Sequence, residues 1–155
     1  MTYDIQDILL ATDLGERSDE VLGHAAGFAR RFGARLHLLT VMHRAEGSMV
    51  SLDNYLPEEA IAKLREDAVQ RIRERIEGML ADLGPDSPRD VVGSVQILEG
   101  NPAETVLAEA TRLGAGLIVL GSSGHTVLGE MLIGSVAHRV TVQSRVPVLL
   151  VPINQ

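Results

Sequence analysis

Leu117-Ile118-Val119-Leu120 runs directly into Gly121-Ser122-Ser123-Gly124-His125-Thr126-Val127-Leu128-Gly129-Glu130-Met131-Leu132-Ile133-Gly134-Ser135. The unbroken apolar run suits a strand buried on both faces, and such strands belong to parallel sheets covered by helices. The spacing that follows is Gly-x2-Gly-x9-Gly-Ser, and Gly134-Ser135 opens a short helix carrying Val136 and Val140. Gly121 and Gly124 lack side chains where a backbone would approach a ligand closely. Free amides at a helix start favour an anion, and the Ser135 hydroxyl is one more donor. A phosphate could be held there by amides, hydroxyls and the helix dipole.

The elements on either side have the same rhythm. Ile8-Leu9-Leu10-Ala11-Thr12 reads as a first buried strand, and residues 36–42 as a second. Between them, residues 18–32 have helical spacing, with Val21, Ala25, Phe28, Ala29 and Phe32 on one face. Asp19 and Glu20 suit that helix's first turn, and Gly33 stops it. Residues 44–56 are a polar connection. Pro57-Glu58-Glu59 then opens a long helix whose stripe is Ile61, Leu64, Ala68, Ile72, Ile76, Met79 and Leu83, ended by Gly84-Pro85. Its other face is a solvated one with charge pairs. Residues 91–98 alternate, with Gly93, Val95 and Ile97 on one side and Ser94, Gln96 and Leu98 on the other, as in an edge strand. Asn101-Pro102-Ala103-Glu104 carries the cap, proline and acid of a helix start. The run from Pro147 to Val151 is a last strand, and its flanking prolines suit a sheet edge. The order is βαβαβαβαβ, a single α/β domain over residues 1–155.

Composition narrows the chemistry. Aromatics are 3%, so Val, Leu, Ile and Ala must build the core. Cysteine is absent, which removes disulfides and thiolates. A net charge of −7 argues against nucleic-acid binding. No apolar run approaches the ~18 residues of a membrane span. Met1 to Gln6 does not look like a secretory leader, so a cytoplasmic location is expected. Lys63 is the sole Lys, which excludes a Walker phosphate loop.

With these motifs the chain resembles the ATP-binding branch of the universal stress protein family over essentially its whole length. The Gly-x2-Gly-x9-Gly-Ser loop carries that resemblance. So do the acid closing Ile8-Leu9-Leu10-Ala11-Thr12-Asp13, the Gly100-Asn101-Pro102 turn and the terminal Val146-Pro147-Val148-Leu149-Leu150-Val151. The resemblance implies one five-stranded parallel sheet of order 3-2-1-4-5 with helices on both faces. This is a Rossmann-like fold of the adenine nucleotide alpha hydrolase type. It implies ATP, alone or with Mg, as the ligand, and a homodimer paired through the last strand. Carried over residue by residue, Asp13, beside Thr12, would contact the ribose or adenine side, and Val41 would meet adenine through its backbone. Leu120 would line the pocket behind Gly121. Gly121, Ser122, Gly124, Gly134 and Ser135 would surround ribose and phosphates, with Val136 adding an amide.

Other readings stand beside these. Asp13 could cap the first helix, and Thr12 could be only a strand-end residue. His125 is either solvent-exposed or a phosphate partner. The histidines lack metal-ligand spacing, and no Gly-x-Ser-x-Gly elbow supports a hydrolase. Asp13-Leu14-Gly15-Glu16-Arg17 lacks the dinucleotide fingerprint. No second acid pair accompanies Asp13, so hydrolysis is expected to be slow or absent. A stress protein that binds no nucleotide and acts as an interaction module is the alternative.

Overall fold

The computed structural model describes residues 3–42, 56–81, 87–122 and 134–153. Five strands form one sheet: β1 (Asp7–Ala11), β2 (Arg35–Met42), β3 (Val92–Glu99), β4 (Leu117–Ser122) and β5 (Val148–Pro152). All neighbours pair in parallel, in the order β3-β2-β1-β4-β5. The described α-helices are α1 (Ser18–Phe32), α2 (Glu58–Leu80), α3 (Pro102–Leu113) and α4 (Ser135–Gln143), and a 3-10 turn spans Pro88–Asp90.

Two cores follow from the period-two alternation of the central strands. Ile8 and Leu10 of β1, with Leu36 and Leu38 of β2, pack against Val21, Leu22, Ala25 and Ala29 of α1. Leu9, Leu39, Ile118 and Leu120 pack on the other face against Val106 and Ala110 of α3 and Val140 of α4. The sheet is therefore covered on both sides, which is why β1 and β4 read as unbroken apolar runs.

The helix signals act as expected at the end of α1 and the start of α3. Gly33 ends α1 in the left-handed region at φ 63°, its amide bonded back to the last turn. Asn101 Oδ1 accepts from the Glu104 amide at 3.1 Å and caps α3. Gly114 closes α3 at φ 62°, a stop that the sequence reading did not single out. Inside α3, the buried Glu109 accepts two bonds from the Arg112 guanidinium at 2.8 Å. Those bonds hold its carboxyl below the usual glutamate range.

Both helical stripes need correction. Phe32 is 48% exposed and stacks on Phe28 at 6.1 Å instead of entering the core, while Leu22 and Ala26 are buried. In α2 only Ile76, Met79 and Leu80 are buried, and Leu64 is 48% exposed. The helix meets the sheet through its last turns, so among the described residues its earlier apolar side chains have little to pack on. It ends at Leu80, ahead of the expected stop at Gly84-Pro85; Leu83, Gly84 and Pro85 lie outside the described residues.

Strand β3 departs from strict alternation. Leu36 pairs with Val92 and His37 with Ser94, so Gly93 is an extra residue, a β-bulge. A Cβ at Gly93 would lie 3.5 Å from His37 Cε1, on the side facing the imidazole and not the side of Val95 and Ile97.

Candidate functional site

Strands β1, β2 and β3 step outward in one direction, and β4 then lies on the far side of β1. That reversal leaves a crevice at the carboxyl ends of β1 and β4, the place where open α/β sheets take their ligands. A cavity of about 500 Å³ occupies it. Its walls come from the β1–α1 loop, the end of β2, the start of α3, the end of β4 and the start of α4.

The β1–α1 loop is built from its own side chains. The Thr12 amide donates to Leu39 O at 2.9 Å, extending β1 by one residue. Thr12 Oγ1 donates to Ser18 Oγ at 3.1 Å and accepts from the Leu14 amide at 3.1 Å. Asp13 Oδ1 accepts from the Gly15 amide at 2.9 Å, a local turn typical of aspartate. Leu14 between them has φ 59°, a left-handed conformation uncommon for a leucine. Its side chain packs on the α1-side core, which holds it there. Asp13 does not cap α1: the cap position is Arg17, with no side-chain cap bond, and the Ser18 amide donates to Gly15 O at 3.1 Å.

Of the residues singled out in the sequence, Thr12, Asp13, Val41, Leu120, Gly121 and Val136 line the cavity together. Ser122 does not, though its Oγ accepts from the Ile153 amide at 3.1 Å and so fixes a residue that does. Gly134 and Ser135 start α4; Ser135 is exposed and neither residue is part of the wall. Gly124 and His125 lie outside the described residues.

The reason for Gly121 differs from the expected one. A Cβ there would come within 2.6 Å of Ile153 Cδ1 and 3.2 Å of Val21 Cγ2. The glycine makes room for protein atoms that form the cavity wall.

Several wall residues escaped the sequence reading. Arg17 brings a cation to a site whose glycine loop has none between His125 and Ile133. Its guanidinium is 3.6 Å from Glu20, a long and partly exposed pairing. A basic residue just ahead of the first helix was the available signal. Thr40 was missed as well. Its Oγ1 is buried and, among the described residues, has no hydrogen-bond partner. A buried hydroxyl without a partner costs free energy unless something else meets it, and Thr40 lies in the cavity wall. Together the walls offer an apolar floor, the carboxylates of Asp13 and Glu16, the Arg17 guanidinium and the Thr40 hydroxyl, which has no partner among the described residues. No group of three or more possible metal-ligating side chains occurs among the described residues.

A family model described as the universal stress protein family matches residues 4–152. The chain belongs to the universal stress protein family. Universal stress protein YxiE of Bacillus subtilis is 33% identical, covering 93% of this chain and 97% of that protein. Universal stress protein MJ0531 of Methanocaldococcus jannaschii is 31% identical over 93% of this chain and 80% of its own. The solved structure of MJ0577, from the same archaeon, superposes with a TM-score of 0.70 at 28% identity, covering 100% of this chain and 99% of that one. A universal stress protein solved in complex with cAMP has the same fold, with a TM-score of 0.60 at 20% identity and coverage of 96% and 98%. This member of the family thus has a stress-response assignment and the family's sheet order. No described helix is long and apolar enough to cross a membrane.

Proposed function

We propose that this universal stress protein binds ATP in the cavity between β1 and β4, and that the nucleotide acts as a ligand that sets conformation or partner choice. The observation that carries the reading is the cavity itself. At about 500 Å³ it falls within the roughly 300–1,000 Å³ of small-molecule sites, and it opens at the sheet's switch point. Asp13 accepts a ribose hydroxyl, and Val41 meets adenine through its backbone. Arg17 faces the phosphates, and the start of α4 at Gly134, Ser135 and Val136 supplies amides to them. Gly124 and His125 complete the phosphate loop in this reading, and the cAMP complex of a relative is in keeping with an adenine ligand. The family alternative is an interaction module without nucleotide.

Calorimetry tests this directly. ATP should bind wild type saturably. Asp13→Ala should weaken ATP about tenfold, or ~1.4 kcal/mol, and leave inorganic triphosphate unweakened. Arg17→Ala should weaken both ligands alike. Equal weakening of both by Asp13→Ala would make that carboxylate only the turn former that accepts from Gly15. No saturable ATP heat with wild type would remove the reading.

We also propose a homodimer paired through β5. That strand is a sheet edge, and edges with apolar side chains invite pairing. Val148, Leu149 and Leu150 are half-buried in the single chain, and Val142 of α4 is 68% exposed. A two-fold axis would let β5 meet itself antiparallel. Light scattering should return a dimer mass at micromolar concentration, and Leu149→Asp should shift it to monomer. A monomeric wild type would overturn the proposal. Val151 is 4% exposed, so an aspartate there would test folding and not pairing.

A further inference from the structure

At the opposite end of the sheet three polar side chains converge from three strands. His37 of β2 is 8% exposed. Its Nε2 lies 2.8 Å from Asp7 Oδ1 of β1, and its Nδ1 lies 2.6 Å from Ser94 Oγ of β3. A carboxylate can only accept, so Nε2 carries the ring hydrogen and donates it to Asp7. When the ring carries only that hydrogen, Nδ1 is the acceptor and the Ser94 hydroxyl donates to it. A hydroxyl hydrogen-bonded to an imidazole whose other nitrogen is fixed by a carboxylate is the arrangement that activates a serine.

The bulge in β3 creates this contact. Counting on from the Leu36–Val92 pair, a regular ladder would set Gly93 opposite His37, and the extra residue brings Ser94 there instead. Bulges commonly re-aim a side chain in this way. Gly93 is exposed, and a Cβ on it would stand 3.5 Å from His37 Cε1 and 3.1 Å from Arg35 Cδ. The glycine makes room for the Arg35 side chain and the imidazole to lie side by side, and Ser94 itself is half-buried on an edge strand, within reach of a small reagent. Asp7 and Thr12 are separated by roughly 16 Å along β1, at about 3.3 Å per residue. The cluster is therefore distinct from the nucleotide cavity.

We propose that Ser94 is a nucleophile that takes up small activated acyl groups, with His37 as its base and Asp7 as the residue that positions His37. Ser94 Oγ adds to the carbonyl carbon of an activated ester while its proton passes to His37 Nδ1. The bond from that carbon to the leaving oxygen then breaks, and the leaving group departs with the electron pair. The proton on His37 goes to the leaving group or to water, and Ser94 holds the acyl ester.

The probe is p-nitrophenyl acetate on the intact chain, followed by digestion and peptide mass spectrometry. Ser94 should be acetylated at least tenfold faster than any other serine of the native protein, and that selectivity should vanish in urea. Ser94→Ala should remove the acetyl group from this peptide. His37→Gln should slow Ser94 acetylation at least tenfold. Asp7→Ala should slow it as well, and Asp7→Glu should restore part of the rate. Native Ser94 labelling no faster than that of other serines, or equal in urea, overturns the proposal without any variant. Unchanged labelling in a folded His37→Gln protein overturns it too.

Discussion

Gly121→Val should leave a folded protein that no longer binds ATP. The first added atom already meets Ile153 Cδ1 at 2.6 Å and Val21 Cγ2 at 3.2 Å. Ile153 Cδ1 is the free end of a flexible side chain, so it can swing aside. Val21 comes from α1 and has less freedom, being 3% exposed in the core. Overpacking of this kind costs roughly 1–3 kcal/mol, which a domain of this size tolerates. The displaced Ile153 and the two new methyls crowd the cavity between β1 and β4, whose wall Gly121, Val21 and Ile153 form. Gly121→Ala should have the weaker version of both effects, because one methyl can be met by a rotamer change of Ile153. Calorimetry with ATP and a thermal melt on the two variants separate the outcomes. Wild-type affinity in a folded Gly121→Val protein would move the ligand away from this crevice.

Leu10→Ala should cost about 2–5 kcal/mol, the range for truncating a fully enclosed leucine. Leu10 is 0% exposed on the central strand, between β2 and β4 and beneath α1. At roughly 2–4 °C per kcal/mol for this chain length, the melting temperature should fall by about 4–20 °C. Leu64→Ala is the matched control. Leu64 sits in the helical stripe read from the sequence yet is 48% exposed in the single chain. Its loss should fall within about ±0.5 kcal/mol, as for other surface changes. A large effect at Leu64 would mean that α2 is covered by something outside the described residues. Thermal denaturation of the two variants side by side is sufficient.

The number, order and kind of elements were legible because each rests on a local signal. Buried strands show as aliphatic runs, Asn101-Pro102 and Gly33 mark helix ends, and the flanking prolines place β5 at an edge. Where the reading failed, the signal was local but the answer was not. The apolar stripe of α2 has the right period, yet only the last turns reach the sheet, and periodicity carries no information about how far a helix overhangs its support. Phe32 fails for the same reason at the end of α1.

The site divides along the same line. Residues that close strands or follow them in loops, such as Asp13, Val41 and Leu120, could be singled out from their positions in the chain. Arg17 offered only its place just ahead of the first helix, and Thr40 offered nothing, because its relevance depends on which elements share a wall. The sequence by itself determined an aliphatic α/β domain, the glycine spacing after β4 and an acid at the end of β1, since all three are patterns between near neighbours. Only the tertiary structure decided that Gly121 yields to Ile153, that the buried Thr40 hydroxyl has no partner among the described residues, and that one extra residue in β3 sets Ser94 against His37 and Asp7. Those contacts join residues 30 or more positions apart. Their distances are fixed by the packing of strands against one another, which no local pattern encodes.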